Sequence, residues 1–237
     1  MMRKALTGAL LVAAVQAHAA YECPVKPQDD VVITPQSVQV VGASGNLVIS
    51  PVGDLQYNGK QIQPDTATRQ KAVDYQAALR RDLPWVDQGA SQRLEKGRVA
   101  LDKVVVEKLG ADSNVRNRLT TLDTQLKQQM NRIIEHRNDG LTFHHQAIDQ
   151  VRADGERLVQ SSLGGVVQDS LNEMGTKQAS QGNNPLQAIM GNLGGLQQAI
   201  QAEWSNQEQD FQNFGHEVCN RVSALEKQRK ALLAGIK

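Results

Sequence analysis

Across residues 115–137 the apolar positions Leu119, Leu122, Leu126, Met130 and Ile133 recur in steps of three and four, with arginine, lysine and glutamine between them. That period lays one apolar stripe along an α-helix. A single stripe has to be buried against others, and the flanking segments carry the same period. Asp65 or Thr66 caps a first helix bearing Ala72, Tyr75, Leu79 and Leu83, which Pro84 is expected to break or kink between Arg81 and Val86, burying Trp85 at the corner. A second helix, 85–109, aligns Val86, Leu94, Leu101, Val104 and Leu109 and ends at Gly110, with Ser113 capping the central helix. The central helix is expected to stop at Asn138, Asp139 and Gly140. A fourth helix starts near Thr142 and carries Ile148, Val151, Leu158, Leu163, Val166 and Met174 to a polar loop at 176–184. Asn184 followed by Pro185 caps the last helix, which runs through Leu196, Ile200, Phe214, Val222 and Leu232, with bends expected at its glycines.

Ahead of these helices the period is two. Val31 and Ile33, Val38 and Val40, Leu47 and Ile49, and Leu55 and Tyr57 alternate with polar neighbours, separated by Pro35, the 42–46 loop, the 51–54 loop and Asn58-Gly59. Asn-Gly is a strong two-residue hairpin signal, so three to five short antiparallel strands are expected. So small a sheet has to cover its apolar face with helix. The predicted fold is therefore α+β, mainly α: a small N-terminal antiparallel β-meander packed on an elongated array of about five amphipathic helices. Residues 1–19 form a signal peptide, 20–64 the β-rich segment and 65–237 the helical domain.

Composition sharpens this picture. The chain is 40% hydrophobic but only 3% aromatic, which suits elongated helical packing better than a thick globular centre. Arg3 and Lys4, the apolar run 5–15 and Ala17-His18-Ala19 are the three parts of a secretory signal, with cleavage expected after Ala19. That run is far shorter than the about 20 residues needed to span a bilayer. Removing it lowers Lys and Arg from 26 to 24 against 25 acids, a net charge of −1. Nucleic-acid binding calls for a clear basic excess, and none is present.

Cys23 and Cys219 both survive cleavage, and an even count in a secreted chain argues for a disulfide between them. In the chain-entropy picture, closing so long a loop stabilises the fold by roughly 5 kcal/mol.

His136, His144 and His145 flank the turn at Asn138 to Gly140 and are the candidate metal ligands, with Asp149 four residues beyond His145. Zinc or copper requires three or four ligands at fixed geometry, and no HxH, HExxH or CxxC pattern supplies them. Histidines at helix termini are the simpler reading. Gly42-Ala43-Ser44-Gly45 lacks the spacing of a nucleophile elbow and reads as a hairpin loop. Phosphate loops and dinucleotide fingerprints are also absent, so no catalytic residue or cofactor is assigned.

One repeat stands apart from the periodicity. Leu163-Gly164-Gly165-Val166 and Leu193-Gly194-Gly195-Leu196 lie at equal distance from the centre of the polar loop. In an antiparallel hairpin the two glycine pairs should face each other and let the backbones approach more closely than the usual 8 to 10 Å between helix axes.

The segments RRDLPWVDQGASQRLEKGRVALDKVVVEKLG at 80–110 and QMNRIIEHRNDGLTFHHQAIDQVRADG at 129–155 resemble the YggN-type family of uncharacterised enterobacterial periplasmic proteins. The resemblance covers the full length and implies a secreted periplasmic protein. It carries over no catalytic residue, cofactor or substrate. Two classes of function follow. In the first, a non-enzymatic helical scaffold presents its faces to an envelope protein or to a second copy of itself. In the second, a binding module holds a lipid or other apolar ligand between helices. Neither involves nucleic acid or a transmembrane segment in the mature chain.

Overall fold

The computed structural model describes residues 23–178 and 185–236, apart from the side chains of Met174, 176–178, 185–193 and Trp204. The expected signal peptide, its cleavage site and the Asn184 cap lie outside the described residues. Five strands come first: β1 (Asp29–Ile33), β2 (Val38–Gly42), β3 (Gly45–Ile49), β4 (Leu55–Tyr57) and β5 (Lys60–Ile62). Then follow α1 (Thr66–Leu109), α2 (Val115–Ile133), β6 (Ile134–Arg137), β7 (Gly140–Phe143), α3 (Ala147–Gln178) and α4 (Pro185–Leu233).

The alternation in the first five strands buries one face. Val31, Ile33, Val38, Val40, Leu47, Ile49 and Leu55 all enter the core. Asn58 and Gly59 take left-handed backbone between the paired Tyr57 and Lys60, as the Asn-Gly signal requires.

The sheet does not stop there. Among the described residues it has seven strands in the order β5-β4-β3-β2-β1-β7-β6, every neighbouring pair antiparallel. The central helix expected to reach Arg137 ends at Ile133, and the chain turns into a hairpin whose second strand includes Thr142, where a helix was expected to start. Arg137 pairs with Gly140 across Asn138 and Asp139, another two-residue turn. Ile134 and Leu141 join the sheet core, and β7 pairs with β1 at Val31, Val32 and Ile33. Burial against β1 outweighs whatever helical period remains past Ile133.

Four helices, not about five, are present among the described residues, because α1 runs through Pro84. A proline inside a helix costs about 3 kcal/mol. The turns around it offset this: Tyr75, Leu79 and Leu83 pack on the sheet, while the half-buried Trp85 ring lies 5.3 Å from Phe214 with the Arg221 guanidinium 3.8 Å over it. Asp65 caps α1 by accepting the Thr68 N–H at 2.7 Å. At the far end Gly110 has φ 102°, and the Ser113 hydroxyl accepts the Val115 N–H at 3.2 Å.

The helices pack as an antiparallel bundle standing on the sheet. Asp82 meets Arg221 and Asp210 meets Arg93 between α1 and α4; Arg132 meets Asp154 and Arg118 meets Asp169 between α2 and α3. Two cores result. One lies between the sheet, the first half of α1 and Leu232 of α4; the other, at the far end, is built from Val105, Leu109, Val115, Leu119, Val166 and Leu196.

Candidate functional site: a cavity between sheet and helices

Where the bundle meets the sheet the two layers do not close completely. A cavity of about 620 Å³ remains, floored by Val31 and Val40 of the sheet and walled by α1 and α4 through residues such as Leu79, Leu83, Val218 and Val222. Phe143 and Ile148 close it from the β7 and α3 side. Its remaining wall is the irregular segment 23–28, the first part of the chain described.

Several of the charged groups at this cavity pair with one another. Arg229 of α4 donates to Asp29 at 2.7 Å and, through two nitrogens, to Glu226 at 2.7 Å each. Asp29 also accepts the Ser44 backbone N–H at 3.1 Å and its hydroxyl at 2.6 Å. Hydrogen bonding from Arg229 holds the Glu226 carboxyl below the usual carboxylate range, in spite of burial. Burial pushes the Tyr75 hydroxyl up, so it lines the cavity as a neutral phenol. At the rim Arg152 pairs with Asp149 at 3.2 Å.

The candidate histidines separate. His145 lies at the cavity with its Nδ1 2.6 Å from Asp30, and its backbone N–H donates to the same carboxylate oxygen at 2.9 Å. Burial raises the Asp30 carboxyl, but the His145 hydrogen bonds and the charges of His145 and His144 outweigh it, leaving the carboxyl below its ordinary value. His144 reaches Glu135 at 3.1 Å, while His136 turns to Asp87 at 2.9 Å on α1. Asp149 pairs with Arg152, not with His145. Among the described residues no group of three His, Cys, Asp or Glu side chains is placed to hold a metal.

Cys23 and Cys219 are joined, with S–S 2.06 Å and Cα to Cα 5.5 Å, and both border the cavity. The glycine pairs behave differently from expectation. A Cβ built at Gly164, Gly194 or Gly195 meets nothing within 4 Å, and one at Gly165 would strike the Arg118 guanidinium. These glycines do not face one another at close range: Gly165 is covered from α2, which carries Arg118 to its ion pair with Asp169. Sequence periodicity gave no hint of the Asp29, Glu226 and Arg229 cluster, because 200 positions separate Asp29 from Arg229. The one available signal was an acidic residue opening a strand whose alternate positions are buried.

A family model described as "Protein of unknown function (DUF2884)" matches residues 23–237. The chain belongs to this family. It is 58% identical over 239 residues to the "Uncharacterized protein YggN" of Escherichia coli K12, with all of both chains covered. The proteins of the same name from E. coli O6:H1 and O157:H7 match to the same extent. This agrees with the resemblance of the 80–110 and 129–155 segments. No solved structure matches the chain. Among the described residues no helix is long and apolar enough to cross a membrane.

Proposed function

We propose that this protein is a periplasmic binding module for a small, mainly apolar ligand held between its sheet and its helices. The cavity carries the reading. Its 620 Å³ falls in the range of about 300 to 1,000 Å³ typical of small-molecule sites, and most of its wall is aliphatic or aromatic. The buried cation, Arg229, is already bound to Asp29 and Glu226, and Arg152 at the rim pairs with Asp149. That favours an acyl chain or a similar hydrocarbon body, with any polar head at the exposed rim beside Lys26. The disulfide and the signal sequence support a periplasmic setting.

The test uses N-phenylnaphthylamine, an uncharged dye that fluoresces in apolar surroundings. Saturable binding to the protein is expected, and Val222→Trp, which places an indole in the cavity, should abolish it while the protein still melts cooperatively. Absence of saturable binding, or binding that survives in the folded variant, would refute the reading. Native mass spectrometry of protein taken from the periplasm then identifies the natural ligand.

A second reading, the scaffold, rests on α3. Leu163, Val167 and Leu171 follow one another at intervals of four and remain 45%, 43% and 43% exposed. An apolar row of this kind on a helix favours contact with another protein or a second copy. A retained partner with no small molecule in the same mass-spectrometric experiment would favour it.

A further inference from the structure

The segment 23–28 is one wall of the cavity, contributing Cys23, Val25, Lys26, Pro27 and Gln28. It has neither helix nor strand, and among the described residues no backbone hydrogen bond ties it to the rest of the chain. At one end it continues into β1, which is fixed in the sheet on both sides. At the other it is held by the bond from Cys23 to Cys219 on α4. Between these two anchors, among the described residues, no backbone hydrogen bond holds it over the cavity.

We propose that residues 23–28 are the lid of this cavity and that the Cys23–Cys219 disulfide is its latch. The proposal rests on reading the cavity as a ligand site. With the bond intact the lid is pinned at both ends and the ligand exchanges slowly. With the bond cut the lid pivots at Gln28, just before β1, and the cavity opens. Cys219 is buried and Cys23 half-buried, so Cys23 is the more exposed half of the bond. A dithiol reductant attacks there, forming a mixed disulfide and releasing the Cys219 thiolate. Its second thiol then closes the reductant's own disulfide and frees Cys23. Two electrons pass from the dithiol to the protein, and its two protons end on the cysteines.

The experiment follows release of bound N-phenylnaphthylamine by stopped flow, using the oxidised protein, the protein after dithiothreitol, and the Cys23→Ser/Cys219→Ser variant. Release should quicken by about tenfold or more in the latter two, as for a segment freed to open locally. The sheet should keep its hydrogen-exchange protection throughout, because opening is confined to the lid. If cutting the disulfide unfolds the protein, Val25→Ala/Pro27→Gly serves instead, loosening the lid with the bond intact, and the same acceleration is expected. Failure of the oxidised protein to bind the dye defeats the ligand reading itself. Binding with a release rate unchanged by reduction or by lid substitution overturns the lid alone.

Discussion

The Phe214 ring lies directly on Gly89: a Cβ added to this glycine would come 2.5 Å from Phe214 Cε2. Gly89 is buried in α1, and the Arg93 guanidinium sits 4.1 Å above the centre of the same ring. Here the absence of a side chain sets how closely α1 and α4 approach. Gly89→Ala is expected to destabilise the protein by about 1 to 3 kcal/mol through overpacking, reduced by the roughly 1 kcal/mol by which alanine is the better helix former. Phe214→Leu should relieve the clash, so the double variant should be more stable than the two single losses predict. Thermal melts of the four proteins measure this coupling, and strict additivity would contradict the contact.

The opposite outcome is expected at Gly164 and Gly194. Both lie within helices and have open space where a Cβ would go. Gly164→Ala and Gly194→Ala should therefore each raise stability by about 0.5 to 1 kcal/mol, the cost of glycine in a helix interior. A loss at either site would mean that the glycine makes a contact after all.

The sequence pointed to a glycine contact between the last two helices, whereas the close approach in the structure is at Gly89, between α1 and α4. A doublet repeated about a loop is visible by eye, whereas Gly89 becomes meaningful only when Phe214, 125 positions later, is known to rest on it. The same limit applies across the fold. Local signals were legible: the period-two strands, the Asn58-Gly59 turn, the Asp65 cap and the glycine stop at 110. Pro84 misled because a proline's local cost is visible in sequence and the packing that overcomes it is not. Residues 134–143 misled because their strand character depends on docking against β1, about a hundred positions earlier. The cavity combines all of these long-range placements, so of its wall the sequence picked out the two cysteines and, as metal-site candidates, His145 with Asp149, but not the space between them.

Gly140 tests the missed hairpin. Its φ is 150°, and an added Cβ would fall on the Ile33 carbonyl of β1. Gly140→Ala should prevent β7 from seating and cost on the order of 3 kcal/mol or more, combining overpacking with unfavourable backbone. A melting temperature within a degree or two of the parent would show that the hairpin docks differently.

The dependence of stability on pH should be governed by carboxylates, Asp82 foremost. Its side chain is 4% exposed and is held by Arg81 at 2.9 Å and by Arg221 from α4. Burial alone would raise its pKa, but the hydrogen bonds and charges of the two arginines outweigh burial and leave it below the ordinary value. Asp30 and Glu226 are lowered in the same direction by His145 and Arg229, against burial. A carboxyl whose folded pKa is depressed contributes stability that is complete above its unfolded value, about 4, and is lost as pH falls through the folded value. Stability should accordingly change little through these groups between neutral pH and about 5, then drop on further acidification. Asp82→Asn removes charge-assisted hydrogen bonds and should cost about 2 kcal/mol at pH 7, partly moderated because both arginines retain access to water. The gap between parent and variant should narrow as the parent's own Asp82 becomes protonated. Urea unfolding of both proteins at pH 7, 5, 4 and 3 tests this, and a gap of constant size down to pH 3 would mean that the shape of the side chain, not its charge, stabilises the α1–α4 contact.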